Sequence, residues 1–288
     1  MPTTIAQGFA KFQENLQITD LQESTVDTRQ KNVRNAVAKE LTVLTSFVTG
    51  SYRRDTLIAP LSKADIDIFL VLDASYYSSD GYANLIDRVK RVLKATYPST
   101  PEISRNGQAV TITFTDFTVD VVPAFNRQGG GYLIPDAVMR RWISTDPMQH
   151  VTIWNNANTV HFQHLVPVIR MIKQWNRAHS SLLRSFHLET LILQILNSVT
   201  ISDLPSAARF VFDKAREACK YVVNDPAGYG GNIAAYLDTQ EKVSEIVKRF
   251  ETAYTQAVEA ERLAAANQLP AAFAKWRTVF GESFPAHG

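Results

Sequence analysis

The sequence predicts an α+β fold, with a mixed strand-and-helix half followed by a helical half. Three observations predict it. Asp65–Asp73 (DIDIFLVLD) is a short run of Ile, Phe, Val and Leu of strand length. QAVTITF and FTVDVVPAF, separated by a turn at Thr115-Asp116, have the pattern of a hairpin. From about residue 158 onward, apolar residues recur at three- and four-residue steps. The expected division is 1–157 and 158–288, with room in the first part for an N-terminal helix that packs on the helical lobe. A cleft between two such lobes is a common ligand site.

The elements follow in order. STVDTRQKNVRNAVAKELTVL opens on capping residues and carries Val26, Val33, Val37 and Leu41 on one helical face. SFVTGS reads as a short strand ending in a turn, and the Asp65–Asp73 strand follows. YANLIDRVKRVLKATYP is a helix stopped by Pro98. After the hairpin, Gly129–Gly131 open a loop. HFQHLVPVIRMIKQWNRAH is then a helix, with Pro167 near its start or at a kink. SFHLETLILQILNSV and SAARFVFDKAREACKYVV are two more. DPAGYGGN breaks the pattern, and the charged QEKVSEIVKRFETAYTQAVEAERLAAA is a long surface helix.

Charge and cysteine content exclude some classes. Thirty Lys and Arg face 28 Asp and Glu, a balance unlike that of a nucleic-acid-coating domain. The single Cys219 forms no internal disulfide and reads as a buried helix thiol. MPTTIAQGFAKFQENLQ lacks the basic start and apolar run of a signal peptide. No stretch approaches the ~18 consecutive apolar residues of a membrane helix. A cytoplasmic protein with no membrane partner is expected. The six histidines show no spacing that requires a metal.

The chemistry lies in the acidic residues. Side chains alternate across a strand, so Asp65 and Asp67 share a face, roughly 6–7 Å apart, while Ile66 and Ile68 face the packed layer. Two such carboxylates repel unless a cation sits between them, and Mg²⁺ takes hard oxygen ligands. In FTVDVVPAF, Val119 and Val121 face one way and Asp120 the other, so Asp120 is the natural third ligand if its strand lies beside the first. Three converging carboxylates suit two-metal phosphoryl transfer. Asp-X-Asp alone is more often a strand end or an ion pair, here to Arg53 or Arg54, than a metal site. Gly50-Ser51 upstream adds a turn whose N–H groups and hydroxyl can meet phosphate.

In this combination the chain resembles the polymerase-β-like nucleotidyltransferases, in which Gly-Ser, Asp-X-Asp and a later strand acid recur. Gly50, Ser51, Asp65, Asp67 and Asp120 match that pattern. VPVIRMIKQWN followed by SFHLETL is similar to the helical spine of the cGAS/DncV-like and oligoadenylate synthase group. YLIPD…WISTDP and the final AFAKWRTVFGESFP resemble bacterial members, so the resemblance spans nearly the whole chain. It implies that Lys173 and Ser185 hold a donor triphosphate and that Phe186 stacks on a base. It implies two Mg²⁺ ions on Asp65, Asp67 and Asp120, with Mn²⁺ as a substitute. Read alone, Ser185 serves equally as a helix N-cap and Phe186 as core, and Glu189 reads as a structural residue. DPAGYGGN places Asp225 and Asn232 at a turn that Asx hydrogen bonds explain as well as a nucleotide does.

The function implied is synthesis of a cyclic di- or trinucleotide from NTPs in anti-phage (CBASS) signalling, with a separate effector protein sensing the product. Activation by DNA is not implied, because one cysteine is too few for the zinc-binding insertion of the animal enzyme. Two rival readings share the core pattern. One is template-independent extension of RNA or synthesis of linear oligoadenylate. The other is a nucleotide-binding module without catalysis.

Overall fold

The computed structural model describes residues 1–100 and 102–288. The chain opens with α1 (Ile5–Asn15) and α2 (Asp20–Val37). Strand β1 (Val43–Val48) leads into the short helix α3 (Gly50–Arg53) and then β2 (Asp65–Leu72). Helix α4 (Tyr82–Thr96) precedes five strands: β3 (Glu102–Asn106), β4 (Ala109–Thr113), β5 (Thr118–Asn126), β6 (Tyr132–Asp136) and β7 (Arg141–Thr145). Six helices complete the chain: α5 (Pro147–Val160), α6 (Leu165–Ala178), α7 (Ser185–Leu196), α8 (Leu204–Ala218), α9 (Gln240–Ala265) and α10 (Leu269–Phe280).

Two compact units result. One is Ile18–Thr152; the other joins Met1–Gln17 to Ile153–Gly288. The later boundary lies at 152/153 instead of the expected 157/158, and the N-terminal segment packs with the helical unit. Residues 1–17 belong with the helical unit, because Phe9 and Phe12 are aromatic core there. Phe9 lies 4.9 Å from Trp276 and Phe12 4.7 Å from Phe280, centroid to centroid. The later boundary falls inside α5.

In the first unit the sheet order is β1-β2-β5-β4-β3, with β6 and β7 continuing from the end of β5. β2 and β5 run parallel, and the other pairs are antiparallel. Period-2 alternation sends Ile66, Ile68, Leu70, Val110, Ile112, Val119 and Val121 to one face. There they pack with Val26, Val33, Val37 and Leu41, the residues whose spacing predicted a helix. That helix starts earlier than expected: Thr19 and Gln22 form a capping box. The opposite face carries the aspartates at its start and a small cluster of Phe69, Val122, Ala124 and Ile134 beyond them.

The helical unit is built around α6, whose residues 165–169 and 171–176 are all buried. Pro167 lies in its first turn and does not kink it. Trp175 stacks on Phe250 of α9 at 4.7 Å. The long α9 buries one stripe, Ile246, Phe250, Ala253, Ala257, Ala260 and Leu263. Cys219 is buried at the end of α8, and burial pushes its thiol up to about 11, so it is an inert core thiol. Among the described residues, no helix is long and apolar enough to cross a membrane.

Candidate active site

The register of the parallel pair builds the acidic site. Asp67 lies directly opposite Asp120, and Asp65 opposite Thr118. All three carboxylates emerge from the sheet face away from the Ile66/Ile68/Val119/Val121 layer. Thr111, opposite Asp120 on β4, donates its hydroxyl to Asp120 Oδ1. The Asp65 carboxyl is held above its ordinary range, first by burial and then by the like charge of Asp120.

Gly50 is fixed by this arrangement. Its φ of +66° is in the left-handed region, and a Cβ there would stand 1.9 Å from Asp67 Oδ2. The Thr49 N–H donates to the Asp67 carbonyl at 2.8 Å, so the turn is tied to the strand beside that carboxylate. Gly50, Ser51 and Tyr52 form the first turn of α3, whose amides have no intrahelical acceptor. Gly50→Ala is therefore expected to lower kcat by about 10²-fold, the effect of displacing a reacting group by ~1 Å. It should also cost about 1–2 kcal/mol of stability through left-handed strain. Gly107→Ala is the control for kinetics and melting, since Gly107 has φ +58° but a Cβ there would meet nothing nearer than Val138 Cγ2 at 4.0 Å.

Arg53 and Arg54 separate in the structure. Arg53 is exposed, whereas Arg54 is buried and caps α3, its N–H donating to the Gly50 carbonyl at 3.3 Å.

The helical unit holds the second group of residues. Ser185 is the first residue of α7, and Arg184, not Ser185, is its N-cap. Ser185 is exposed, and its hydroxyl does not cap the helix. Phe186 is half-buried and stacks on buried Trp154, with centroids 5.9 Å apart and planes 24° apart. Lys173 lies on the buried face of α6. It is 6% exposed and donates to Glu189 Oε1 at 2.8 Å, with the Glu189 side chain fully buried. Sequence reasoning did not find this pair. The available signal was an acid set inside the apolar run HLETLILQIL, one turn beyond Ser185.

The acidic group suits a divalent cation. Its donors are hard carboxylate oxygens on one face, two of which repel each other, and the glycine opposite leaves Asp67 unobstructed. Among the described residues, no three His, Cys, Asp or Glu side chains form a ready-made metal cage.

The Second Messenger Oligonucleotide or Dinucleotide Synthetase (SMODS) domain matches residues 3–158, more than half of the chain. The chain belongs to the SMODS family. This SMODS protein is 26% identical over 264 residues to a cyclic AMP-AMP-AMP synthase of Acinetobacter sp., covering 83% of this chain and 72% of the relative. Its fold is that of Escherichia coli CdnC, solved with ATP, at a TM-score of 0.77 and 18% identity over 98% of this chain and 99% of that one. CdnC has also been solved in complex with a HORMA protein. Vibrio cholerae DncV, a cyclic AMP-GMP synthase, matches with a TM-score of 0.71 and 19% identity over 84% and 70% of the two chains. As a SMODS-family chain it is an enzyme, a synthetase of second-messenger oligonucleotides or dinucleotides.

Proposed function

We propose that this enzyme joins NTPs into a cyclic di- or trinucleotide signal at Asp65, Asp67 and Asp120. The observation that carries this reading is the register of β2 and β5, which sets Asp67 opposite Asp120 with Gly50 packed against the Asp67 carboxylate. Two Mg²⁺ ions held by these aspartates, or Mn²⁺ in their place, would ease deprotonation of an attacking ribose hydroxyl and neutralise charge on the departing pyrophosphate.

The rest falls to the chain's own groups. Asp120 is held in place by Thr111 and serves the side of the attacking hydroxyl. Gly50 and Ser51 offer the free amides of a first helical turn, and the Ser51 hydroxyl, to phosphate. Ser185, exposed at the start of α7, and Lys173, on α6 and balanced by Glu189, serve the donor triphosphate. Phe186, backed by Trp154, presents a ring to the base. The hydroxyl attacks the α-phosphorus of the donor, the bond to the β-phosphate oxygen breaks, and pyrophosphate leaves. A second or third round closes the ring.

ATP is proposed as one substrate, because the Acinetobacter relative is named for an all-adenine product. A separate effector protein is proposed to sense the cyclic product in CBASS signalling.

The test is incubation of the purified protein with radiolabelled NTPs and Mg²⁺ or Mn²⁺, at neutral and alkaline pH, followed by phosphatase. A phosphatase-resistant product that contains adenine is expected. Linear products extended from an RNA primer would favour the polymerase reading, and binding without turnover would favour a silent module.

A further inference from the structure

The turn Asp225–Asn232 has no place in the chemistry above, yet it is densely bonded. Asp225, 6% exposed, accepts the N–H groups of Ala227 (3.0 Å), Tyr229 (3.3 Å) and Gly230 (2.7 Å). Its own N–H donates to the Gly231 carbonyl at 2.8 Å. The Ile233 N–H donates to the Val223 carbonyl at 2.8 Å, and Asn232 Oδ1 accepts the Ala234 N–H at 2.9 Å. A loop fixed this way delivers the residues after it to a set place. Those residues include Tyr236.

Tyr236 grips the start of α7. Its Oη accepts the Arg184 N–H at 2.9 Å and shares a hydrogen bond with His187 Nδ1 at 2.8 Å. The Arg184 guanidinium lies over its ring at 4.5 Å, and the His187 ring meets it edge-on at 5.6 Å. Arg184 and His187 flank Ser185 and Phe186. Arg184 is an N-cap without a side-chain capping bond, so Tyr236 takes up from a distant segment the amide that a capping box satisfies locally. His187 is 1% exposed, and among the described residues its Nε2 makes no hydrogen bond. Burial pushes its imidazole down to about 4, so the ring is neutral and, among the described residues, Tyr236 is its one polar partner. Losing a sole partner is costly for a buried polar ring, which makes the pair a strong local constraint.

We propose that Tyr236 is a positioning residue for the donor nucleotide: carried by the Asp225–Asn232 turn and locked by His187, it fixes the first turn of α7 that presents Ser185 and Phe186. This inference rests on the nucleotide-binding role given to Ser185 and Phe186 under the proposed function.

The test is steady-state kinetics with ATP on four variants and one double variant. Tyr236→Phe keeps the ring and removes only Oη. It is expected to raise KM about tenfold with kcat within about twofold, the signature of lost ground-state binding. Ser185→Ala should also raise KM. In the Ser185→Ala background, Tyr236→Phe should add less than about twofold, since it acts through that residue. His187→Asn, which restores a bonding atom near the Nδ1 position, should stay within about threefold of the parent KM, while His187→Leu should reproduce Tyr236→Phe.

An unchanged KM in Tyr236→Phe, or an equal KM rise in both backgrounds, would overturn the proposal and leave Tyr236 a purely structural residue. Ser185→Ala with an unchanged KM would instead sink the nucleotide reading of α7 itself, and this inference with it. If Tyr236→Phe does not give a cooperative melt, the contrast between His187→Leu and His187→Asn decides the question in the same terms.

Discussion

Asp67→Asn and Asp120→Asn are each expected to reduce product formation at least ~10³-fold while leaving the fold intact. A carboxylate that holds a catalytic cation contributes several kcal/mol to the transition state, and each 1.36 kcal/mol is tenfold in rate. Asparagine preserves the shape. At position 120 its Oδ1 still accepts the Thr111 hydroxyl, so the β4–β5 pairing is undisturbed. At position 67 it still fits against Gly50.

Asp65→Asn should be equally inactive and more stable than the parent at neutral pH. The sign follows from the raised Asp65 pKa, caused by burial and then by Asp120. An acid with a folded pKa above its unfolded one loses stability as pH rises between the two values, and that deficit persists above them. The amide removes it, so the gain should vanish in strong acid. Melting temperature followed against pH checks this directly.

The second large effect concerns the buried pair in the helical unit. Glu189→Gln is expected to destabilise the protein by about 3–5 kcal/mol, because it removes the charge that faces the buried Lys173 ammonium at 2.8 Å. Lys173→Met should cost a similar amount by removing the cation that faces buried Glu189. The double replacement Lys173→Met with Glu189→Leu should recover most of the loss, since an apolar pair of similar volume avoids desolvating two charges. Chemical denaturation of the three variants and the parent gives the coupling energy. Additive losses would show that the two side chains are stabilised independently. The kinetic counterpart is separable: Lys173→Met should also weaken ATP binding in the double variant, where the fold is restored.

Most of the acidic site was legible from alternation alone. Asp65, Asp67 and Asp120 face away from Ile66, Ile68, Val119 and Val121 because side chains alternate on a strand, and no other placement buries the apolar set. Gly50 was visible as a glycine, but the need for it was not, because that need comes from a carboxylate on another element. Other features were illegible for definable reasons. β3 buries only Ile103 and so carries no alternation to read. β6 contains Pro135, which argues against a strand unless the partner pattern is known.

Helix α5 is rich in Asn and weakly amphipathic, yet Asp146-Pro147 marks its start: Asp146 Oδ1 accepts the N–H groups of Met148 and Gln149. The burial of Lys173 was hidden because the Arg170/Lys173/Arg177 spacing describes a stripe regardless of what packs on it. An N-terminal helix on the helical lobe was expected, but its aromatic contact with α10 joins the two ends of the chain, and no local pattern encodes which residues meet.

The central claim is that the carboxylates of β2 and β5 drive formation of a cyclic nucleotide. Mass spectrometry of the phosphatase-resistant products made from mixed NTPs by the parent protein, Asp67→Asn and Asp120→Asn tests it most directly. The account predicts a cyclic, adenine-containing di- or trinucleotide from the parent and none above background from either variant. The same cyclic product in equal yield from the variants, or no cyclic product from the parent with either Mg²⁺ or Mn²⁺, would contradict it.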